Sequence, residues 1–243
     1  GYGTQRLEEE LQRHLEIFDV KPIIARFDLD AVRGYGTTTD ILKRFYTGEI
    51  DILVGTQLIA KGLDFERVTL VGIVNADLQM NLPDFTSAER AFQLFTQVAG
   101  RAGRKQKFPG EVVIQTYNPD AYPIACFENN DYNSFYEKEI TFRKELNYPP
   151  FTRLIALEIQ DQDPKKIENC FAEILKYLKS NSFYSVLGPV VPVVPKIQGR
   201  TRNVVLIKVP KDSDPSGKKL GALLKKIEYN ILKKYNSKDF KFI

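Results

Sequence analysis

The chain has 243 residues, 43% of them hydrophobic and 12% aromatic, with 35 Lys and Arg against 31 Asp and Glu for a net charge of +4. That length suits one large or two ordinary domains with packed cores. No apolar run approaches the roughly 20 residues a membrane helix requires and nothing at the start reads as a signal peptide, so a soluble cytoplasmic protein is expected. Cys126 and Cys170 lie far apart with no C-x-x-C partner, so neither a disulfide framework nor a zinc site is supported, and His14 is the single histidine, which excludes a histidine triad or multi-histidine metal site.

Thr4 to Leu15 places Leu7, Leu11 and Leu15 at four-residue steps with Glu8, Glu9 and Glu10 near its start, which predicts an amphipathic helix. The first residue is Gly1 and the chain enters this helix almost at once, as a piece of a longer protein would. Pro22 to Phe27 predicts a strand, and Thr37 to Tyr46 a helix closed by Gly48. Ile50 to Val54 and Val68 to Val74 predict buried strands, Ser87 to Val98 a helix, and Glu111 to Tyr117 a further strand. Strands alternating with helices imply an α/β layer with a parallel sheet. A helix from Tyr132 to Leu146 then meets Tyr148-Pro149-Pro150, where two prolines stop it, and the domain boundary is set there, giving 1–147 and 148–243.

Beyond the boundary, strands are expected at Leu154 to Ile159, Val204 to Val209 and Phe240 to Ile243, with helices at Pro164 to Leu178 and Lys218 to Tyr235. This order predicts a small α+β domain. Gly188 to Pro195 carries a proline at every third residue and suits an edge strand or an extended arm. The charge divides unequally: residues 1–150 hold 17 Lys/Arg against 22 Asp/Glu, a net of −5, and residues 151–243 hold 18 against 9, a net of +9. A basic second domain is expected to face nucleic acid or an acidic partner, unless the lysines only solvate its surface.

Two segments carry chemistry. Gln97-Val-Ala-Gly-Arg-Ala-Gly-Arg104 sets Arg101 and Arg104 three residues apart beside glycines, so two planar guanidinium groups are available for phosphate oxygens. The competing reading is a basic surface turn after a helix. Gly55-Thr-Gln-Leu-Ile-Ala-Lys-Gly-Leu-Asp-Phe65 follows the strand ending at Val54, and in parallel α/β sheets ligands gather at the carboxyl ends of strands. Thr56 supplies a hydroxyl, Lys61 a cation and Asp64 an acceptor, while the alternative is an ordinary strand-to-helix loop.

The pairing of these two segments resembles motifs V and VI of superfamily 2 helicases, both carried by the second RecA-like lobe. Between them lies Ala76-Asp-Leu-Gln-Met-Asn-Leu-Pro-Asp-Phe-Thr-Ser-Ala-Glu-Arg90. This segment, with Gly3-Thr-Gln-Arg-Leu-Glu-Glu-Glu-Leu11, Gly110-Glu-Val-Val-Ile-Gln-Thr116, Tyr148-Pro-Pro-Phe151 and Leu187-Gly-Pro189, is similar to the replication-restart helicase family over essentially the whole chain.

The resemblance implies an ATP-dependent 3′→5′ DNA helicase that restarts stalled replication forks by binding branched DNA and loading the primosome. The chain would be its C-terminal part: a second RecA-like lobe, incomplete at its first edge, and a basic α+β C-terminal domain. Carried over by position, Arg104 is the arginine finger, Arg101 its neighbour on the same phosphate, and Gln97 orders the water or phosphate. Gly62, Asp64 and Gly100 fall at nucleotide-sensing positions, and Thr56 and Lys61 at contacts to the DNA backbone. Gly199-Arg-Thr-Arg202 matches a G-R-x-R segment, which makes Arg200 and Arg202 candidate anion contacts. The family also implies single-stranded DNA, primosome proteins and the acidic tail of single-stranded-DNA-binding protein as partners. Where relatives continue with Trp-Gln this chain has Asn203-Val204, and the loss of an aromatic puts the tail pocket in question.

ATP with Mg²⁺ would be the cofactor of the full-length enzyme. Residues 1–243 contain no G-x-x-x-x-G-K-[ST] phosphate loop, no Walker B acidic pair and none of the family's zinc cysteines, so the chain alone is expected to be inactive. Two other readings are another superfamily 2 repair or fork-remodelling translocase, and a non-catalytic binding module with a degenerate motor lobe.

Overall fold

A computed structural model describes residues 3–27, 38–56, 65–102, 110–178, 183–232 and 240–242. The chain divides into two compact units, Gly1–Phe135 and Tyr136–Ile243.

The first unit begins with α1 (Thr4–Ile17), whose Leu7, Leu11 and Leu15 are half-buried, followed by β1 (Ile24–Phe27), α2 (Thr38–Thr47) and β2 (Ile52–Gly55). β1 and β2 pair in parallel, Ile24 opposite Ile52 and Phe27 opposite Gly55. Phe27, Ile41 and Ile50 close a small core between this pair and α2. Gly48 ends α2 at φ +83°, a conformation that costs other residues energy, and a Cβ there would collide with the Arg67 guanidinium, which donates to the Thr47 carbonyl at 2.9 Å.

Next come β3 (Leu70–Ile73), α3 (Asp77–Met80), α4 (Ser87–Ala99), β4 (Glu111–Ile114) and α5 (Tyr122–Glu128), and then α6 (Tyr132–Glu145), which passes from one unit to the other. β3 and β4 are parallel, Leu70 opposite Glu111. Ala76, Ala91, Phe95 and Ile124 bury together, joined by Ile73 and Ile114 from the strands. The sequence suggests one parallel sheet; among the described residues the four strands form two separate parallel pairs. α3 and α5 were not legible in the periodicity. One is a single turn, and the other follows Pro119 and carries Pro123 in its first turn, prolines that punctuate the sequence like a loop although proline is well tolerated there.

The second unit is an antiparallel sheet flanked by two helices. Its elements are β5 (Thr152–Asp161), α7 (Pro164–Leu178), β6 (Ser185–Val190), β7 (Lys196–Ile197), β8 (Arg200–Pro210), α8 (Lys218–Leu232) and β9 (Phe240–Phe242). The strand order is β6-β8-β5-β9, with β7 also on β8. Alternation puts Leu157, Ile159, Val205, Ile207 and Val209 on one face. Against them pack Ile167, Cys170, Phe171, Ile174 and Leu178 of α7 and Leu220, Leu223, Ile227 and Ile231 of α8, the three- and four-residue spacings of a helical stripe. Each large aliphatic side chain so buried contributes about 1.5–3 kcal/mol of transfer free energy.

The two compact units divide between Phe135 and Tyr136, within α6 and ahead of the diproline segment. Phe135 stacks on Phe92 of the first unit with ring centroids 4.2 Å apart. Lys208 of β8 donates to the Leu146 carbonyl at 2.9 Å and lies 3.7 Å over the Tyr148 ring, which fastens the end of α6 and the diproline segment to the second unit. β6 occupies the sheet edge at the proline-rich stretch, as that spacing implies, but pairing stops at Val190.

Candidate functional site

The arginine segment is delivered by α4, and the residues before that helix explain its position. Asp84 accepts from the Thr86 amide at 2.8 Å and the Thr86 hydroxyl at 2.7 Å, and its other oxygen pairs with Arg90 at 3.1 Å. The Pro83-Asp-Phe-Thr-Ser-Ala-Glu-Arg90 run thus builds the turn that starts α4. Ala91, Phe92 and Phe95 bury its inner face, leaving Gln97 exposed one turn from its end. Gly100 caps the helix with αR geometry, its N–H donating to the Thr96 carbonyl, and Arg101 N–H and Ala102 N–H continue the turn by donating to the carbonyls of Val98 and Ala99. Gln97 thus lies in the last turn of α4, and Arg101, half-buried, in the turn that follows it. Gly103 and Arg104 lie outside the described residues.

Thr56 is exposed at the carboxyl end of β2, beside the end of β1, where a parallel pair presents its ligand-facing edge. Lys61, Gly62 and Asp64 lie outside the described residues. Thr56 belongs to the β1–β2 pair, whereas Gln97, Gly100 and Arg101 belong to the helix packed with β3 and β4; these four are not gathered on one element.

Arg200 and Arg202 sit on β8 in the second unit. Arg200 is half-buried and pairs in register with Ile197 of β7. All three nitrogens of Arg202 are engaged: Nε donates to Glu158 Oε1 at 2.9 Å, one terminal nitrogen to Glu158 Oε2, and the other to the Val194 carbonyl at 3.0 Å. The Glu158 hydrogen bond raises the guanidinium pKa above its ordinary value. Sequence reasoning assigned Arg202 to an external anion; in the fold its guanidinium turns to a carboxylate on the neighbouring strand.

Sequence reasoning also missed Asp77. Its carboxylate accepts from the Thr116 hydroxyl and from the Tyr117 amide, both at 3.0 Å, tying the carboxyl ends of β3 and β4 together. The Ala76-Asp dipeptide was visible, but a contact spanning about 40 residues has no local periodicity to reveal it.

A guanidinium and a carboxamide, as in Arg101 and Gln97, suit phosphate oxygens. Among the described residues, no group of three His, Cys, Asp or Glu side chains could hold a metal. No described helix is long and apolar enough to cross a membrane. Burial, with Glu173 adding to it, pushes the Cys170 thiol up to about 12.

A parallel α/β unit that ends a buried helix in Gln97 and Arg101 is of the helicase type, and a model of the helicase conserved C-terminal domain matches residues 7–106. The Primosomal protein N C-terminal domain model matches residues 144–238. The chain is 42% identical to the replication restart protein PriA of Bacillus subtilis, over 93% of its own length and 27% of that protein. It is 40% identical to PriA of Synechocystis, covering 86% and 25%, and 37% identical to PriA of Thermotoga maritima, covering 85% and 27%. The chain belongs to the PriA family, matching its C-terminal part, and spans about a quarter of the length of these relatives.

Proposed function

We propose that this chain is the C-terminal part of an ATP-dependent 3′→5′ DNA helicase that binds branched DNA at stalled replication forks in the cytoplasm and loads primosome proteins there. Residues 1–147 act as the second RecA-like lobe with a helical extension. Residues 148–243 act as a basic α+β domain that binds DNA and the acidic tail of single-stranded-DNA-binding protein. The observation that carries this reading is the joint match of the helicase and primosomal domain models along one chain. The primosomal match at 144–238 also favours it over another superfamily 2 repair translocase.

ATP with Mg²⁺, bound chiefly by residues outside this chain, supplies the phosphoryl group. The part played by this chain is positioning and charge. Arg104 and Arg101 neutralise negative charge developing on the γ-phosphate, and Gln97, one turn before Arg101, orders the attacking water or a phosphate oxygen. A finger of this kind contributes about 10³ to 10⁵ in rate. Gly62, Asp64 and Gly100 report nucleotide occupancy across the lobe interface. Thr56 and Lys61 hold the DNA strand by its phosphates, so hydrolysis can be read as a change in grip. Arg200 contacts an anionic partner, with Arg202 beside it on the same strand.

The test is Arg104→Ala in the full-length enzyme. DNA-stimulated ATP hydrolysis is expected to fall by about three orders of magnitude with DNA affinity retained, because the lost contact acts on transition-state charge. Normal hydrolysis with lost DNA binding would move the arginine segment to the nucleic-acid side. The isolated chain is expected to show no DNA-stimulated turnover.

A further inference from the structure

The solvent face of α8 is rich in lysine. Lys218, Ala222, Lys225, Lys226 and Tyr229 are exposed, while Leu220, Leu223, Ile227 and Ile231 are buried on the other side. At 1.5 Å per residue, Lys218 to Tyr229 extends about 16 Å. Lys218 and Lys219 occupy the first turn, where no acidic residue stands, and no basic residue occupies the last turn. The helix dipole disfavours cations at that end by about 0.3–1 kcal/mol each, and the Asp214 carboxylate, accepting from the Leu220 amide at 2.9 Å, offsets this at the helix start. α7 also opens with two lysines, Lys165 and Lys166, behind an Asp163 carboxylate that accepts from the Lys165 amide at 3.0 Å, and it carries Lys176 in its last turn. Among the described residues, no carboxylate lies within ion-pairing distance of Lys218, Lys225 or Lys226, although Glu228 is exposed nearby on the same helix and the Lys226 ammonium lies 5.9 Å over the Tyr177 ring of α7. Lys219 is turned toward the Ser213 carbonyl at 3.4 Å and is left out of the site.

We infer that the outer face of α8, through Lys218, Lys225 and Lys226, is a binding surface for nucleic-acid phosphates. This rests on the reading of the basic unit as DNA-binding and adds a contact on the other face of the sheet. Glu158 and Arg202 alternate with the strand residues that α7 and α8 cover, so the Arg202 ion pair lies on the opposite face. The chemistry selects the ligand. Lysines are point charges that grip phosphates without reading bases, and lysine is depleted in protein–protein interfaces, whose centres are apolar. This face offers only Ala222 and Tyr229 as apolar contacts, and Tyr229, 62% exposed, is placed to lie against an unpaired base.

The test is a salt titration of the full-length protein on a labelled oligothymidylate, comparing wild type with K218Q/K225Q/K226Q and K218R/K225R/K226R. Three phosphates on single-stranded DNA at about 0.7 each make the log-affinity versus log-salt slope shallower by about two in the glutamine variant, while the arginine variant keeps the wild-type slope. Matching circular dichroism melts for the three proteins exclude unfolding as the cause, since Gln and Arg are helix formers close to Lys. Wild-type binding with slopes unchanged in both variants overturns this inference and leaves the face as solvated surface. Loss of affinity for an acidic peptide, with the DNA slope intact, overturns it in favour of a protein partner. A wild type that binds no DNA at low salt overturns the parent reading of the unit instead.

Discussion

Truncating Arg202 to alanine tests whether that residue holds the second unit together or contacts a ligand. The Glu158 side chain is 5% exposed and that of Arg202 16%, and the pair is bidentate across β5 and β8. Removing one partner of a buried ion pair costs about 3–5 kcal/mol, because the survivor's charge stays buried without compensation. Arg202 retains some solvent, and water can enter the space it leaves, so about 2–4 kcal/mol is expected here. The Val194 carbonyl also loses its donor, although the Arg202 amide still donates to the Pro195 carbonyl at 2.9 Å. Urea unfolding of the chain followed by far-ultraviolet circular dichroism should show the transition of the second unit about 1–2 M lower, at roughly 2 kcal/mol per molar urea. The converse variant, Glu158→Ala, should cost less, since an arginine near the sheet edge can reach water and a glutamate this deep cannot. Arg202→Met combined with Glu158→Leu should be more stable than Arg202→Ala, as apolar replacement of both partners removes the stranded charge. An Arg202→Ala protein as stable as wild type but with weakened DNA binding would refute the structural role and return Arg202 to the ligand-contact set.

Two further outcomes follow from titrating groups. The Leu220 amide, donating to Asp214 Oδ2 at 2.9 Å, holds that carboxyl below its ordinary range; the Lys219 amide and the charges of Arg153 and Lys219 act in the same direction, and burial opposes them. A depressed folded-state pKa gives stability that is complete above the unfolded-state value, about 3.9, and is lost as pH falls below it. Asp214→Asn should therefore lower stability at neutral pH and flatten the acid limb of a stability–pH curve; an unchanged acid limb would contradict the capping role. Cys170, buried and with its thiol raised to about 12, should resist alkylation by iodoacetamide at neutral pH until the second unit unfolds, and rapid native-state labelling would contradict the packing of α7.

What the sequence determined by itself is the local pattern and the chemistry written in contiguous motifs. Leucine spacing marked α1, proline at Pro164 and the apolar stripe to Leu178 marked α7 to the residue, and alternation marked β5 and β8, because each follows from a short-range period that a helix or strand must obey. The Gln97 to Arg104 string and the segment leading into it were readable for the same reason: the turn that delivers them is built from neighbours, Asp84 capping Thr86 and Gly100 closing α4. Only the tertiary structure decided which charged groups face outward. Arg200, Arg202 and the lysines of α8 are alike in sequence, all cations in a basic half. A carboxylate 44 positions before Arg202 turns that guanidinium inward, while burial of the leucines and isoleucines of α8 turns its lysines to solvent. Lys208 is a further case: its bond to the Leu146 carbonyl and its contact with the Tyr148 ring draw the diproline segment onto the second sheet. Side-chain partners that meet through strand pairing leave no local period, so their pairing is fixed only when the sheet register brings them within reach.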